Sequence, residues 1–228
     1  MSCIHDGHRQ RMYDKFLSGA YLEDHEILEM LLFSCIPRAN TNEIAHRLIH
    51  RFGSLAAVFD ADIDQLQEIH GIGKRSALTI RVYAEIIQRY YTSKTSLSGL
   101  LVSREDMCSY LVSLFISSPS ERTYLLLFGN SGRLISSNLI GTGEYCSDHF
   151  SAADITKLAS RSSAVYAVLC HNHPSGDTFA SSSDIEATHV IGNMLKAFGI
   201  TLVEHFIVSG TECRSIFRDN TSKLIFTK

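Results

Sequence analysis

The 228-residue sequence has no Trp and only three Pro, and none of its six Cys stands in a C-x-x-C pair. Cys3, Cys35, Cys108, Cys146, Cys170 and Cys213 are widely scattered. That spacing favours reduced thiols in a cytoplasm over a disulfide framework. Long apolar runs are also missing. The longest, such as YLLLF and AVYAVLC, have the length of a strand and are far too short to cross a bilayer. The opening MSCIHDGHRQRMYDKF is polar and charged, which excludes a signal peptide or membrane anchor there. No large excess of either charge exists: the net of −3 argues against a strongly basic nucleic-acid binder, while leaving room for a local patch. No internal repeat or low-complexity segment is present. What remains is an ordinary soluble composition, 45% apolar and 20% charged, in a chain long enough for one large or two small domains.

Residues 8 to 91 read as helices. In DHEILEMLLF, Ile27, Leu28, Leu31 and Leu32 recur at the spacing of one amphipathic face, with Asp24 placed to cap the start. NTNEIAHRLIHRF repeats the arrangement with Ile44, Leu48 and Phe52 and stops at Gly53. A short helix is expected over Asp64 to Ile69, a break at Gly71-Ile72-Gly73, and a long helix from about Lys74 to Tyr91. The small, polar stretch 92–100 reads as a linker, dividing a helical domain at 1–93 from a second domain at 101–228. Beyond it, Arg122 to Phe128 and Arg133 to Ile140 read as strands around the turn Gly129-Asn130-Ser131-Gly132. A helix is expected from Ser151 to Ser162, a buried strand from Val165 to Cys170, and a helix from about Ser182 to Phe198. Strands near Thr201 to Val203 and His205 to Val208 complete a mixed α/β layered domain.

Leu66, Ile69, Gly71, Ile72, Gly73, Ala77 and Ile80 are spaced as in a helix-hairpin-helix. The glycines permit a tight turn and expose amide N–H groups at the start of the next helix, where a phosphate can bind. Lys74 and Arg75 at the tip would add sequence-independent attraction to a nucleic-acid backbone. Residues 1 to 93 nevertheless carry ten Lys and Arg against twelve Asp and Glu, a net of −2, so DNA contact through this hairpin would be weak. A purely structural or protein-docking turn is the competing reading.

The chemistry concentrates in Cys170-His171-Asn172-His173-Pro174-Ser175-Gly176-Asp177, with Ser181 and Asp184 following. Two His at i and i+2 on an extended segment point to the same side, so both imidazoles can reach one ion. Asp184 lies in the first turn of the next helix, where its carboxylate can swing back as a third ligand. Two imidazoles and one carboxylate leave the fourth tetrahedral position open, as in catalytic zinc sites, whose water ionises near neutral pH. One zinc per chain is the expectation. Cys170 should face the core, Asp177 reads as a turn residue, and His149, His189 and His205 read as structural or surface residues.

The pattern H-x-H-x(7)-S-x-x-D, filled by His171, His173, Ser181 and Asp184, resembles the JAMM motif of JAB/MPN metallopeptidases. The wording H-N-H-P-S-G-D resembles the bacterial RadC family, once labelled DNA repair proteins. Gly7 to Arg11 (GHRQR), EILEMLL, HRLIHRFGSL and IHGIGKRSA resemble that family's N-terminal helical part, so the resemblance covers nearly the whole chain. It implies an α/β domain of MPN type (layered, cytidine-deaminase-like) preceded by a small all-α helix-hairpin-helix domain. It also implies zinc on His171, His173 and Asp184, Ser181 near the oxyanion, and hydrolysis of peptide or isopeptide bonds.

One departure stands out. JAMM enzymes place a Glu general base on an early strand; aligning Arg133-Leu134-Ile135 with the family puts Asn138 there. An amide has no basic oxygen at neutral pH, and loss of a general base typically costs on the order of 10²–10⁴ in rate. Glu144 is the nearest carboxylate along the chain, six residues on and in an expected loop. Two readings follow: a zinc metallohydrolase acting on a peptide or protein substrate, or a non-catalytic metal-binding scaffold contacting DNA or a repair partner through the hairpin. The absence of H-x-E and P-C-x-x-C excludes a nucleotide deaminase, and the few clustered acids argue against a magnesium nuclease.

Overall fold

The computed structural model describes residues 4–95, 103–143, 151–174 and 176–217. The chain divides into two compact units, Met1–Ile87 and Gln88–Lys228. Among the described residues no helix is long and apolar enough to cross a membrane.

The first unit is helical: α1 (Ile4–Leu17), α2 (Asp24–Leu32), α3 (Thr41–Phe52), α4 (Leu55–Asp60), α5 (Ile63–Gln67) and the start of α6 (Lys74–Lys94). Side-chain caps set the boundaries. Ser54 Oγ accepts from Ala57 N at 3.1 Å and opens α4, while Asp62 and Gln65 bond each other's amides at the start of α5. α3 ends where Gly53 adopts φ +89°, a left-handed turn open to Gly. Leu28, Leu32, Ile44, Leu48, Val58, Leu66, Ile72 and Ile80 form the core, each such burial contributing about 1.5–3 kcal/mol. Two local expectations are corrected. Asp24 lies inside α2, and the cap is Glu23 before it, whose amide donates to the Glu26 carboxylate at 2.8 Å. Ile27 turns outward, and Glu29 takes the buried place.

Glu29 explains the GHRQR segment. Its carboxylate accepts from His8 Nε2 at 3.0 Å, Asn42 Nδ2 at 2.9 Å and Thr41 Oγ1 at 3.4 Å, so a buried charge is shared by three donors. Arg9 reaches the carbonyl of Ile36 at 2.7 Å and lies over the Phe33 ring. His8 and Arg9 thus fasten α1 to α2 and its exit. At the hairpin, Gly71 has φ +99°, and a Cβ there would meet Ile44 Cδ1 at 2.8 Å. Gly73 has neither restriction. Lys74 and Arg75 are exposed and, with Leu78, Thr79 and Val82, line a shallow and largely apolar cavity of about 520 Å³.

The expected linker is partly helix. Thr92–Lys94 complete α6, where Thr92 Oγ1 bonds the Ser113 carbonyl at 3.2 Å and the Gln88 amide bonds that of Leu114; residues 96–102 lie outside the described part. Next comes α7 (Arg104–Phe115), which the sequence reading missed, capped by Ser103 Oγ on Asp106 N at 3.0 Å. The second unit then runs β1 (Arg122–Phe128), β2 (Leu134–Thr142), α8 (Ala152–Arg161), β3 (Tyr166–Asn172), α9 (Ser182–Lys196), β4 (Thr201–Ser209) and β5 (Glu212–Ser215).

The five strands form one sheet in the order β2-β1-β3-β4-β5, antiparallel except for the β3–β4 pair. Alternate residues feed two cores. Leu126, Phe128, Tyr166, Val168, Cys170 and Phe206 pack against Met107, Leu111 and Phe115 of α7. Leu125, Leu127, Ala167 and Leu169 pack against Ile155 and Ala159 of α8 and Ile191 and Leu195 of α9. The domain is therefore a three-layer α/β/α arrangement. β4 is one strand where two pieces were expected. The sequence reading broke it at Glu204, but that carboxylate is buried and accepts from His205 N at 2.9 Å and Phe217 N at 3.1 Å. Strand β5 was also unforeseen.

Candidate metal centre

β3, α9 and β4 make a parallel β-α-β unit, and ligands collect at the carboxyl ends of such strands. His171 is the next-to-last residue of β3 and shares the face of Ala167 and Leu169, toward α9. Asn172 points the other way: its Oδ1 accepts from Arg122 N at 2.8 Å and its Nδ2 donates to Ser120 O at 3.2 Å, pinning the strand end. His173 leaves the strand but stays tied to β4, donating its amide to Val208 O at 2.9 Å and accepting at its carbonyl from Ser209 Oγ at 3.0 Å. Both rings of H-x-H therefore face one point.

Asp184 arrives from the first turn of α9. Ser181 caps this helix, its Oγ accepting from Asp184 N at 3.2 Å and donating to Asp184 Oδ2 at 2.6 Å, while Ser181 N donates to the same oxygen at 2.8 Å. The cap turns the Asp184 carboxylate back toward β3. Nε2 of His171 lies 2.9 Å from Nε2 of His173 and 3.3 Å from Asp184 Oδ1, and Nε2 of His173 lies 3.8 Å from Asp184 Oδ2. Ligand atoms about 2.0–2.1 Å from a tetrahedral zinc stand roughly 3.3 Å apart, so this triangle fits such an ion. Among the described residues this is the one group of three His, Cys, Asp or Glu side chains whose ligand atoms converge within 4.8 Å.

Each imidazole is held at its other nitrogen, the usual way a ligand ring is oriented. Asp177 Oδ1 accepts from His173 Nδ1 at 3.3 Å and from Phe179 N at 3.1 Å, so the turn residue also steers the His173 ring. His171 Nδ1 lies 2.8 Å from His205 Nε2, and His205 Nδ1 lies 2.6 Å from Thr188 Oγ1. His205 is 2% exposed. The sequence makes it a structural or surface residue; it is buried, and it holds the ring of His171. The signal that could have found it is a lone His in the apolar run of β4, whose parallel partner is β3. Burial pulls the His171 imidazole down to about 4, against the opposing pull of the Asp184 carboxylate, and burial likewise holds His205 well below the usual histidine range.

Asn138, on β2, pairs with Leu125 of β1, and its Nδ2 donates to Leu125 O at 3.1 Å and Ser136 Oγ at 2.9 Å. Cys170 faces the α7 core, where burial pushes its thiol well above the ordinary range and makes it inert. His189 is exposed on α9. Glu144 and His149 lie outside the described residues.

A family model described as RadC-like JAB domain matches residues 101–222, more than half of the chain. A second, UPF0758 N-terminal, matches residues 8–78. The chain belongs to the RadC-like JAB family. A UPF0758 protein from Fusobacterium nucleatum subsp. nucleatum is 34% identical over 214 residues, covering 89% of this chain and 91% of that protein. The five-stranded layered unit is thus the RadC-like JAB domain, and the helical unit is the part that precedes it in UPF0758 proteins. His171, His173 and Asp184 all fall inside the RadC-like JAB match, as a group able to hold a metal ion.

Proposed function

We propose that this RadC-like protein holds one zinc ion on His171, His173 and Asp184 and acts as a JAMM-type hydrolase of peptide or isopeptide bonds, slowed by Asn138. The convergence of the three donor atoms within 4.8 Å carries the reading. Two imidazoles and a carboxylate suit zinc better than the oxygen-preferring magnesium or calcium. Zinc bound there supplies Lewis acidity for amide hydrolysis. The chain's own residues supply the rest. Ser181 and Asp177 orient two of the ligands, and the exposed Ser181 hydroxyl can turn from Asp184 toward a substrate carbonyl. Asn138 cannot take up a proton, so hydrolysis should be slow. The free thiols Cys35, Cys108, Cys170 and Cys213 fit a cytoplasmic setting.

Elemental analysis of the purified chain tests the ligand set: about one zinc is expected, lost in His171→Ala and in Asp184→Ala. Retention of zinc by both variants overturns the assignment. A second reading, a metal-binding scaffold that docks through its helical unit, draws on Asn138 together with the exposed Lys74 and Arg75 at the hairpin tip. Salt-dependent DNA binding that vanishes in the Lys74→Ala, Arg75→Ala double variant would favour it.

A further inference from the structure

Three hydrogen bonds run from the Asp184 main chain to the His171 ring, and their protons can be counted. Thr188 Oγ1 donates to the carbonyl of Asp184, one helical turn back, at 2.5 Å. A hydroxyl has one proton and a carbonyl has none to give, so the Thr188 proton is committed. Thr188 Oγ1 is then an acceptor toward His205 Nδ1, 2.6 Å away, and His205 must carry its proton on Nδ1.

His205 is 2% exposed, and its two ring partners are a hydroxyl and an imidazole, neither of them anionic. A charge there would be buried without a counter-ion, so the ring is neutral and has a single proton. Its Nε2 is accordingly an acceptor. Across 2.8 Å stands His171 Nδ1, which must donate. His171 therefore keeps a proton on Nδ1, and its Nε2, 2.9 Å from His173 Nε2 and 3.3 Å from Asp184 Oδ1, is the nitrogen left for a lone pair.

We propose that Thr188 and His205 are positioning residues that fix the tautomer of His171, presenting Nε2 unprotonated before any ion arrives. The purpose of this relay rests on the metal reading; the tautomers themselves belong to the metal-free chain. A structural role for His205 would be met by either tautomer. Only tautomer control requires the proton to sit on Nδ1 of both rings.

The experiment is a long-range ¹H–¹⁵N correlation spectrum of the zinc-free, full-length chain with ¹⁵N-labelled histidine, its signals assigned from His171→Gln and His205→Gln. Both rings are expected to be protonated at Nδ1. Thr188→Val removes the acceptor of His205 Nδ1–H; the proton regains a partner by moving to Nε2, which drives the His171 proton onto Nε2 as well. Zinc affinity, read by competition with a chromophoric chelator, is then expected to fall about 10–100-fold although no ligand has changed. Thr188→Ser should restore both the tautomers and the affinity. A wild-type His171 protonated at Nε2 overturns the proposal, as does unchanged zinc affinity in folded Thr188→Val. If that variant does not fold, the wild-type spectrum still decides. A wild-type chain with both Nδ1 tautomers that takes up no zinc overturns the metal reading and leaves the tautomer assignment standing.

Discussion

Asn138 stands opposite Leu125 in the β1–β2 register, and Leu125 in turn stands opposite Leu169, two residues before His171. The pairing puts position 138 on the same face of the sheet as His171, one row away. From strand spacing and residue rise, the two backbones are about 12 Å apart. Asn138→Glu is expected to raise hydrolysis of a general peptide substrate in the presence of zinc by on the order of 10²–10⁴. The assay compares it with the unsubstituted chain under equal zinc loading. An unchanged rate removes position 138 from the catalytic account.

Gly71 and Gly73 look equivalent in the hairpin motif, yet only Gly71 has positive φ and a neighbour where a Cβ would go. Gly71→Ala should lower the urea midpoint by the equivalent of about 1–3 kcal/mol. Gly73→Ala should change it by under about 1 kcal/mol. Equal effects would mean that the turn is not strained at Gly71.

His8 contributes one of three donors to the buried Glu29 carboxylate. Its replacement by Ala should cost roughly 1–3 kcal/mol, because a charge-assisted bond is lost and the acceptor stays buried. Chemical denaturation of the full chain measures this. A shift below about 0.3 kcal/mol would show that the contact is dispensable.

Acid should weaken the zinc-free protein. His171 and His205 hold their protons less tightly when folded than the ordinary 6.5 of an exposed histidine, His171 at about 4. Between those values the unfolded chain binds more protons, so their contribution is complete above pH 6.5 and is lost as pH falls toward 4. The melting temperature after chelation should drop across that window, and less steeply in His205→Gln. A flat profile in both would contradict the buried, neutral state of these rings.

Much of the candidate site could be read from the chain because its parts lie close in sequence. His171 and His173 stand two residues apart across the end of β3, and the Ser181 cap returns Asp184 to them within one loop. His205 could not be read in the same way. It is 34 residues from His171, and their contact depends on the parallel register of β3 and β4, which shifts at Ala167/Val168. Nothing in local propensity encodes such a shift. Helix α7 was missed for a different reason. Met107, Tyr110, Leu111, Ser113, Leu114 and Phe115 are all buried, and so broad an inward face blurs the period that marks an amphipathic helix. Glu204 misled in turn because a charge ordinarily ends a buried strand, and here two backbone amides accommodate it.

The bond from the Ser181 amide to the Asp184 carboxylate, which stays when the hydroxyl turns away, also acts on metal loading. The side chain is already locked in its working rotamer by the helix end, so an incoming cation has little left to freeze, a saving of about 0.5–1.5 kcal/mol per immobilised side chain. Stripping the ion should therefore leave a folded receptacle ready to reload, and metal availability rather than refolding would govern how quickly the protein recovers.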